Sequence, residues 1–314
     1  MTVSDGDYAE FVSLSRRLLR DVLQRVSGGN DVFVKLLGDH FGGDLAQLPI
    51  VSDKYQPLEH PNLQLAVQAF ANAPGRRSQL AGVSGGQRGF MSVGLRDLIG
   101  GVAYADLSLG PVEYENRPVG VDATMACVGL GLYLITTAEG PVALLVHPDA
   151  QRGPQSNDIV VDAAASGGRT PESVLAELRR LARANNVYRG QMISLGTAAS
   201  PFGPMAGLGV TFHNRPQVSR DDIVLPPATL ERLEGHVVGI GSSAARLLAN
   251  RRHLKRGVLL HGPPGTGKTL TVRYLAARLG EATVIVLSGT GLAAIATSCA
   301  MARDLAPAVV VSKT

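Results

Sequence analysis

Residues 256–269 read Arg-Gly-Val-Leu-Leu-His-Gly-Pro-Pro-Gly-Thr-Gly-Lys-Thr. Within this stretch, Gly262, Gly267, Lys268 and Thr269 fit the phosphate-loop pattern G-x-x-x-x-G-K-[ST]. A glycine turn without a ligand is the alternative interpretation of these four positions. The sequence on either side of the loop decides between the two.

Both flanks of the loop have the character that a phosphate loop requires. The apolar residues 258–260 predict a short buried strand before it. Residues 270–279 predict an amphipathic helix that follows the loop and ends at Gly280. The strand–loop–helix order favours a nucleotide site over an ordinary turn.

Each residue type in the loop has a chemical reason. Glycines allow backbone N–H groups to turn toward a phosphate, and the start of the following helix adds positive potential. Lys268 is expected to bridge the β- and γ-phosphates, and the Thr269 hydroxyl to coordinate Mg²⁺. The predicted cofactors are therefore ATP and Mg²⁺. The predicted site consists of Gly262, Pro263, Pro264, Gly265, Thr266, Gly267, Lys268, Thr269 and Leu270.

The loop and its surroundings resemble the Walker A region of the AAA+ ATPases, in a style similar to actinobacterial members. Residues 225–233 resemble the linker of that family, 283–289 its second strand, and 306–311 its third strand. The resemblance covers about residues 222–314. It implies an incomplete three-layer αβα P-loop domain, containing strands 1–3 of a sheet ordered 5-1-4-3-2. For the parent protein it implies a homo-oligomeric ring that couples ATP hydrolysis to the remodelling of a protein partner.

The sequence departs from the family pattern after the third strand. The family has two acidic residues where this chain has Lys313 and Thr314. The family's sensor residues, arginine finger and helical lid lie further downstream, so we expect a truncated and hydrolysis-deficient chain. Without strands 4 and 5, residues 258–260 should either pair with strand 3 or leave buried polar groups unsatisfied. Fast amide exchange is accordingly expected throughout 256–314.

The rest of the chain predicts a mixed α/β recognition domain over residues 1–215, followed by a linker over 216–255 and the partial P-loop domain over 256–314. Short apolar runs between residues 101 and 147 predict strands joined by hairpins. Further predicted elements are a helix that Thr170 caps and that ends near residue 186, and strands at 189–195 and 208–213. The proposed protein partner would bind this first domain.

Two other functions remain open at this stage. One is a non-catalytic module that binds a partner and keeps a vestigial nucleotide site. The other is a basic nucleic-acid binder, which depends only on the arginines of a predicted helix over residues 8–27. The net charge of +4 gives it little support, so nucleic acid is an unlikely partner. An acidic N-terminus, two cysteines and short apolar runs predict a cytoplasmic protein without a membrane span.

Overall fold

The computed structural model describes residues 31–85, 93–100, 107–149, 158–200 and 203–313. The predicted helix over 8–27, with Arg16, Arg17, Arg20 and Arg25, lies outside these residues. The chain divides into two compact units. The first unit consists of Met1–Arg117 and Met125–Asn185, and the second of Pro118–Thr124 and Asn186–Thr314.

The first unit is built around a seven-stranded sheet. Its strand order is β1-β7-β6-β5-β2-β3, and β4 pairs with β5. The helices are α1 (Asp31–Phe41), α2 (His60–Ala71), α3 (Leu95–Gly100) and α4 (Pro171–Ala184), with 3-10 helices at Leu45–Gln47 and Pro57–Glu59. The strands are β1 (Ile50–Tyr55), β2 (Arg77–Ser84), β3 (Ser108–Gly110), β4 (Glu113–Pro118), β5 (Thr124–Thr137), β6 (Gly140–Pro148) and β7 (Ile159–Ala165).

Helices cover both faces of this sheet. Tyr133 and Ile135 of β5 pack with α2 and α4, whereas Leu132 and Leu134 pack with α1 and α3. This division follows from the alternation of side chains along a strand. The predicted cap of α4 is confirmed, because the Thr170 hydroxyl accepts a hydrogen bond from the Ser173 N–H at 3.3 Å. The hairpin of β5 and β6 agrees with the strands predicted between 101 and 147.

The second unit has a four-stranded sheet in the order β11-β10-β8-β9. Strands β11, β10 and β8 are parallel, and β9 returns antiparallel to β8. The strands are β8 (Met192–Ser200), β9 (Gly203–His213), β10 (Thr283–Ser288) and β11 (Ala308–Lys313). The helices are α5 (Pro227–Val237), α6 (Gly239–Ser242), α7 (Ala244–Ala249), α8 (Lys268–Arg278) and α9 (Ile295–Asp304), with 3-10 helices at Arg220–Asp222 and Gly289–Ala294.

The core of this second sheet lies between β10, the β8–β9 hairpin and α9. Ile193, Leu195 and Phe212 of the hairpin pack with Ile285 and Leu287 of β10. Leu305, at the end of α9, is fully buried in the same cluster. The hairpin therefore contributes to the same core as the strand that follows the phosphate-loop helix.

The unit boundary differs from the sequence-based division at residue 215. Residues 189–195 and 208–213 were expected to form strands of the first domain, and strands do form there, but in the second unit. The reason is a parallel pairing in which Met192 lies opposite Val284 and Ser194 lies opposite Val286. Residues 186–215 thus belong with the P-loop part of the chain.

The prediction of a buried strand at residues 258–260 is wrong. These described residues are assigned to no strand, and Val258 and Leu259 are 42% and 89% exposed. Neither expected alternative applies, because polar backbone groups at an exposed segment can bond to water. A strand needs a hydrogen-bonded neighbour, and in the described sheet β11, the expected partner, is paired with β10 and not with residues 258–260.

No helix in the described part of the chain is long and apolar enough to span a bilayer.

Candidate nucleotide site

The glycine loop has a backbone conformation that requires glycine. Gly265 and Gly267 have φ angles of +81° and +80°, in the left-handed region. A side chain at either position would strain the backbone, even though a Cβ atom there would meet nothing within 4 Å. Gly267 is the N-cap of α8, so the turn ends where the helix begins.

The nine predicted residues lie on one continuous segment. Gly262 to Gly267 form the loop, and Lys268 to Leu270 form the first turn of α8. Gly262 and Lys268 are half-buried, and the other seven are exposed. The helix predicted at 270–279 is observed, but it begins two residues earlier. Its start at Lys268 directs unbonded N–H groups toward the loop, which is the arrangement that attracts an anion.

Lys268 has partners within the loop that the sequence did not reveal. Its Nζ donates hydrogen bonds to the carbonyl oxygens of Gly262 and Pro263 at 2.7 and 2.6 Å. The Thr266 hydroxyl donates to the Pro263 oxygen at 2.9 Å. The ammonium group therefore satisfies two loop carbonyls in this conformation.

Comparison with known proteins finds similarity over the same segment of the chain. The sequence model of the AAA family, described as the ATPase family associated with various cellular activities, matches residues 258–310. The human ATPase family AAA domain-containing protein 3A is 40% identical over 76 residues. Residues 258–310 belong to the AAA ATPase family. The match to the human protein covers 24% of this chain and 12% of the human protein, so the chain spans a small part of that relative.

The AAA segment, residues 258–310, contains the phosphate loop and most of the second sheet's β10 and β11. Strands predicted from the resemblance at 283–289 and 306–311 are present as these two strands. They are adjacent and parallel, with Val284 opposite Val309. This agrees with the neighbouring positions of strands 2 and 3 in the expected order. On its other side, β10 is covered by β8, which comes from outside the AAA segment.

The AAA segment has donors that fit a triphosphate, and it has few ligands for a metal ion. The Thr269 hydroxyl is on the exposed first turn of α8, next to Lys268. Among the described residues, no group of three or more His, Cys, Asp or Glu side chains could hold a metal. Mg²⁺ in nucleotide sites takes most of its oxygen ligands from phosphates and water. One hydroxyl is therefore compatible with an ion that enters with the nucleotide.

The end of β11 has a positive charge where the family has an acid. Lys313 lies opposite Ser288 at the end of β10, and both residues are exposed. Parallel strands place their carboxyl ends at one edge, which is the edge where open α/β sheets bind ligands. Thr314 lies outside the described residues.

Three long-range hydrogen bonds of the second unit were not predicted. Arg215 donates hydrogen bonds to the carbonyls of Ala276 at 3.1 Å and Gly190 at 3.0 Å. The Tyr274 hydroxyl donates to the Glu234 carboxylate. These partners are 25 to 61 residues apart in sequence, beyond the reach of any local pattern.

Proposed function

We propose that this chain binds ATP together with Mg²⁺ through residues 262–269. The observation that carries the proposal is a loop with Gly265 and Gly267 in the left-handed region of φ. It leads directly into Lys268, the first residue of an eleven-residue helix. Such a loop presents backbone N–H groups, a helix N-terminus and one ammonium group to the same anion. The match of the AAA family to this segment supports the same ligand.

Each side chain of the loop has a separate task in this proposal. The N–H groups around Gly265 and Gly267 would hold phosphate oxygens, and Lys268 would exchange its two loop carbonyls for phosphate oxygens. Thr269 would supply one oxygen ligand to Mg²⁺. When bound, Mg²⁺ neutralises phosphate charge and orients the phosphate groups. Leu270, 37% exposed on the next position of α8, would contact the nucleotide through apolar atoms.

The test is calorimetric titration of the full chain with ATP and Mg²⁺. Lys268→Ala is expected to weaken binding by about 2–3 kcal/mol, roughly 30- to 150-fold, because a charge-assisted contact is lost. Lys35→Ala, at an exposed lysine on α1, is the control for loss of one positive charge and should bind like the wild type. Equal affinities of wild type and Lys268→Ala would rule out the assignment.

We infer further that hydrolysis by this chain is slow. Lys313 is at the end of β11, where the family resemblance leads one to expect an acid. An ammonium group repels Mg²⁺ and, while charged, accepts no proton from water. In a phosphate-release assay, the wild type should release phosphate no faster than Lys268→Ala. Steady release that Lys268→Ala abolishes would contradict this inference and favour an active ATPase.

The partner proposals concern the first unit and the assembly. We propose that the first unit binds a protein partner, since it has its own two-sided core and lies outside the AAA segment.

A ring assembly and a cytoplasmic location complete the proposal. The free thiols of Cys127 and Cys299 are compatible with a reducing compartment. Light scattering during size-exclusion chromatography, with and without ATP, would test for the ring.

A further inference from the structure

The phosphate-loop helix α8 is bonded to the preceding helix α5 through one pair of side chains. Tyr274 of α8 is 1% exposed, and its hydroxyl donates a hydrogen bond to Glu234 Oε1 of α5. Glu234 Oε2 accepts from Arg220 Nη1 at 2.9 Å. Burial raises the pKa of the Tyr274 phenol, and the neighbouring Glu234 raises it further. The hydroxyl consequently stays protonated at neutral pH and remains a donor.

Apolar packing surrounds this hydrogen bond. Leu230 of α5 and Ile223 are buried against Tyr274 and Leu275 of α8. Half-buried side chains at the edge of this cluster are Val218, Leu225, Leu233, Val237 and Val238. Since a buried phenol is costly without a partner, the contact with Glu234 selects one arrangement of the two helices within the cluster.

The same helix α8 supplies the phosphate site at its other end. Tyr274 is six residues after Lys268, or about 9 Å along the helix axis. Arg215 fixes the last turn of α8 by its hydrogen bond to the Ala276 carbonyl. A helix held over its second half has a defined direction, so its first turn and the glycine loop are held with it.

We propose that Tyr274 is a positioning residue for the phosphate loop, and that Glu234 couples α5 to nucleotide binding. The inference rests on the proposed ATP site. Two states of α8 are involved: one with α5 docked through Tyr274, as observed, and one with α5 released. In the docked state the first turn of α8 already has a fixed direction, so ATP binding costs less ordering there than in the released state. Coupling of this kind is reciprocal, so ATP must also stabilise the docking of α5.

The test uses the full chain with Tyr274→Phe, which keeps the buried ring and removes the hydroxyl. ATP affinity in the presence of Mg²⁺ should fall roughly 3- to 10-fold, the usual effect of losing one hydrogen bond. Glu234→Ala is the second variant, because it removes the acceptor of the Tyr274 hydroxyl and its side chain is closer to the surface, at 18% exposure. Glu231→Ala is the matched control on the same helix, with a side chain that is 66% exposed and lies 3.8 Å from the same Arg220.

A second measurement separates positioning from a purely structural role. In the wild type, saturating ATP should slow amide hydrogen exchange over residues 227–237, on α5. In Tyr274→Phe and Glu234→Ala this effect should be lost, whereas Glu231→Ala should retain it. A lower melting temperature alone would not produce this pattern, because the comparison is made within each variant, with and without ATP.

The outcomes are distinguishable from those of the proposed function. If the wild type binds ATP, and both variants keep its affinity and its protection of 227–237, the coupling is refuted and the ATP site stands. A variant that melts earlier with both readouts unchanged also refutes it, since the contact is then only structural. If the wild type binds no ATP, the proposed function fails and the coupling fails with it. Should Tyr274→Phe not fold, Glu234→Ala decides by the same two readouts.

Discussion

At the scale of single residues, Lys268 contributes hydrogen bonds that stabilise the glycine loop. Its ammonium group bonds to two carbonyl oxygens that face the loop interior. The glycines that permit this turn are visible in the sequence, whereas the temporary partners of Lys268 depend on the path of the folded loop. On the proposed function, a phosphate that takes Lys268 would replace these hydrogen bonds, which would reduce the net gain of binding.

Asp162 is a second residue whose role depends on its neighbours. This buried side chain on β7 accepts hydrogen bonds from the Ser52 hydroxyl at 2.6 Å and the Leu95 N–H at 2.7 Å. His147 Nε2 lies 3.4 Å from its Oδ2 atom. Burial raises the pKa of Asp162, but the contacts with His147, Ser52 and Leu95 outweigh it and lower the pKa below the ordinary 3.8.

The lowered pKa of Asp162 predicts how the stability of the first unit changes with pH. A carboxylate with a lower pKa in the folded state stabilises the fold above about pH 4, and this contribution is lost as pH falls through the folded-state value. Asp162→Asn should therefore cost about 2–3 kcal/mol at pH 7 and less near pH 3. Urea denaturation at several pH values measures it, with the exposed Asp39→Asn as control. A cost that does not change with pH would contradict the assignment.

At the scale of elements, the β8–β9 hairpin completes the sheet of the AAA segment. It pairs with β10 along an edge that the expected strand order left open, and it buries Ile193 and Leu195 against β10. Arg215, just after β9, donates hydrogen bonds to three backbone carbonyls, one in α8, one just before β8 and one just before β10. These are Ala276, Gly190 and Ala282.

Replacing Arg215 should therefore weaken the second unit. Arg215→Gln removes the guanidinium donors from these carbonyls, and the expected loss of unfolding free energy is about 2–3 kcal/mol. Arg232→Gln, at an exposed position on α5, is the matched control and should change stability by less than about 0.5 kcal/mol. Urea denaturation of both variants would measure the difference. Equal midpoints would show that the Arg215 contacts contribute little.

At the scale of the whole molecule, each of the two units has its own core. The first buries residues on both faces of its sheet, and the second has separate clusters around β10 and around α8. Within the second unit, protection from solvent is uneven. Val284, Ile285 and Leu287 of β10 are fully buried, whereas Leu259 is largely exposed.

Amide hydrogen exchange of the full chain should reveal this unevenness. Residues 284–287 should exchange as slowly as other central strand residues, because β10 is paired on both sides. Residues 257–261 should exchange at nearly unprotected rates. The fast exchange predicted from sequence for all of 256–314 is thus replaced by a divided pattern. Comparable protection of the two segments would be inconsistent with the observed pairing.

Local features of the fold and site could be predicted from the sequence because their signals are local. The glycine turn, the helix that follows it and the Thr170 cap each depend on a few consecutive residues. The strands β10 and β11 were expected at 283–289 and 306–311 from the family resemblance of those short segments.

Only the tertiary structure decided which segments pair and which side chains meet. Apolar runs at 192–195 and 258–260 look equally suited to a strand, but the first is next to β10 and the second is exposed. The contact of Tyr274 with Glu234 likewise joins residues forty positions apart. A strand or a buried polar group is stabilised by a partner, and the partner's identity is not encoded in the residues beside it. The sequence by itself therefore determined the phosphate loop and its helix, whereas the tertiary structure decided the sheet that flanks them and the contacts that hold them.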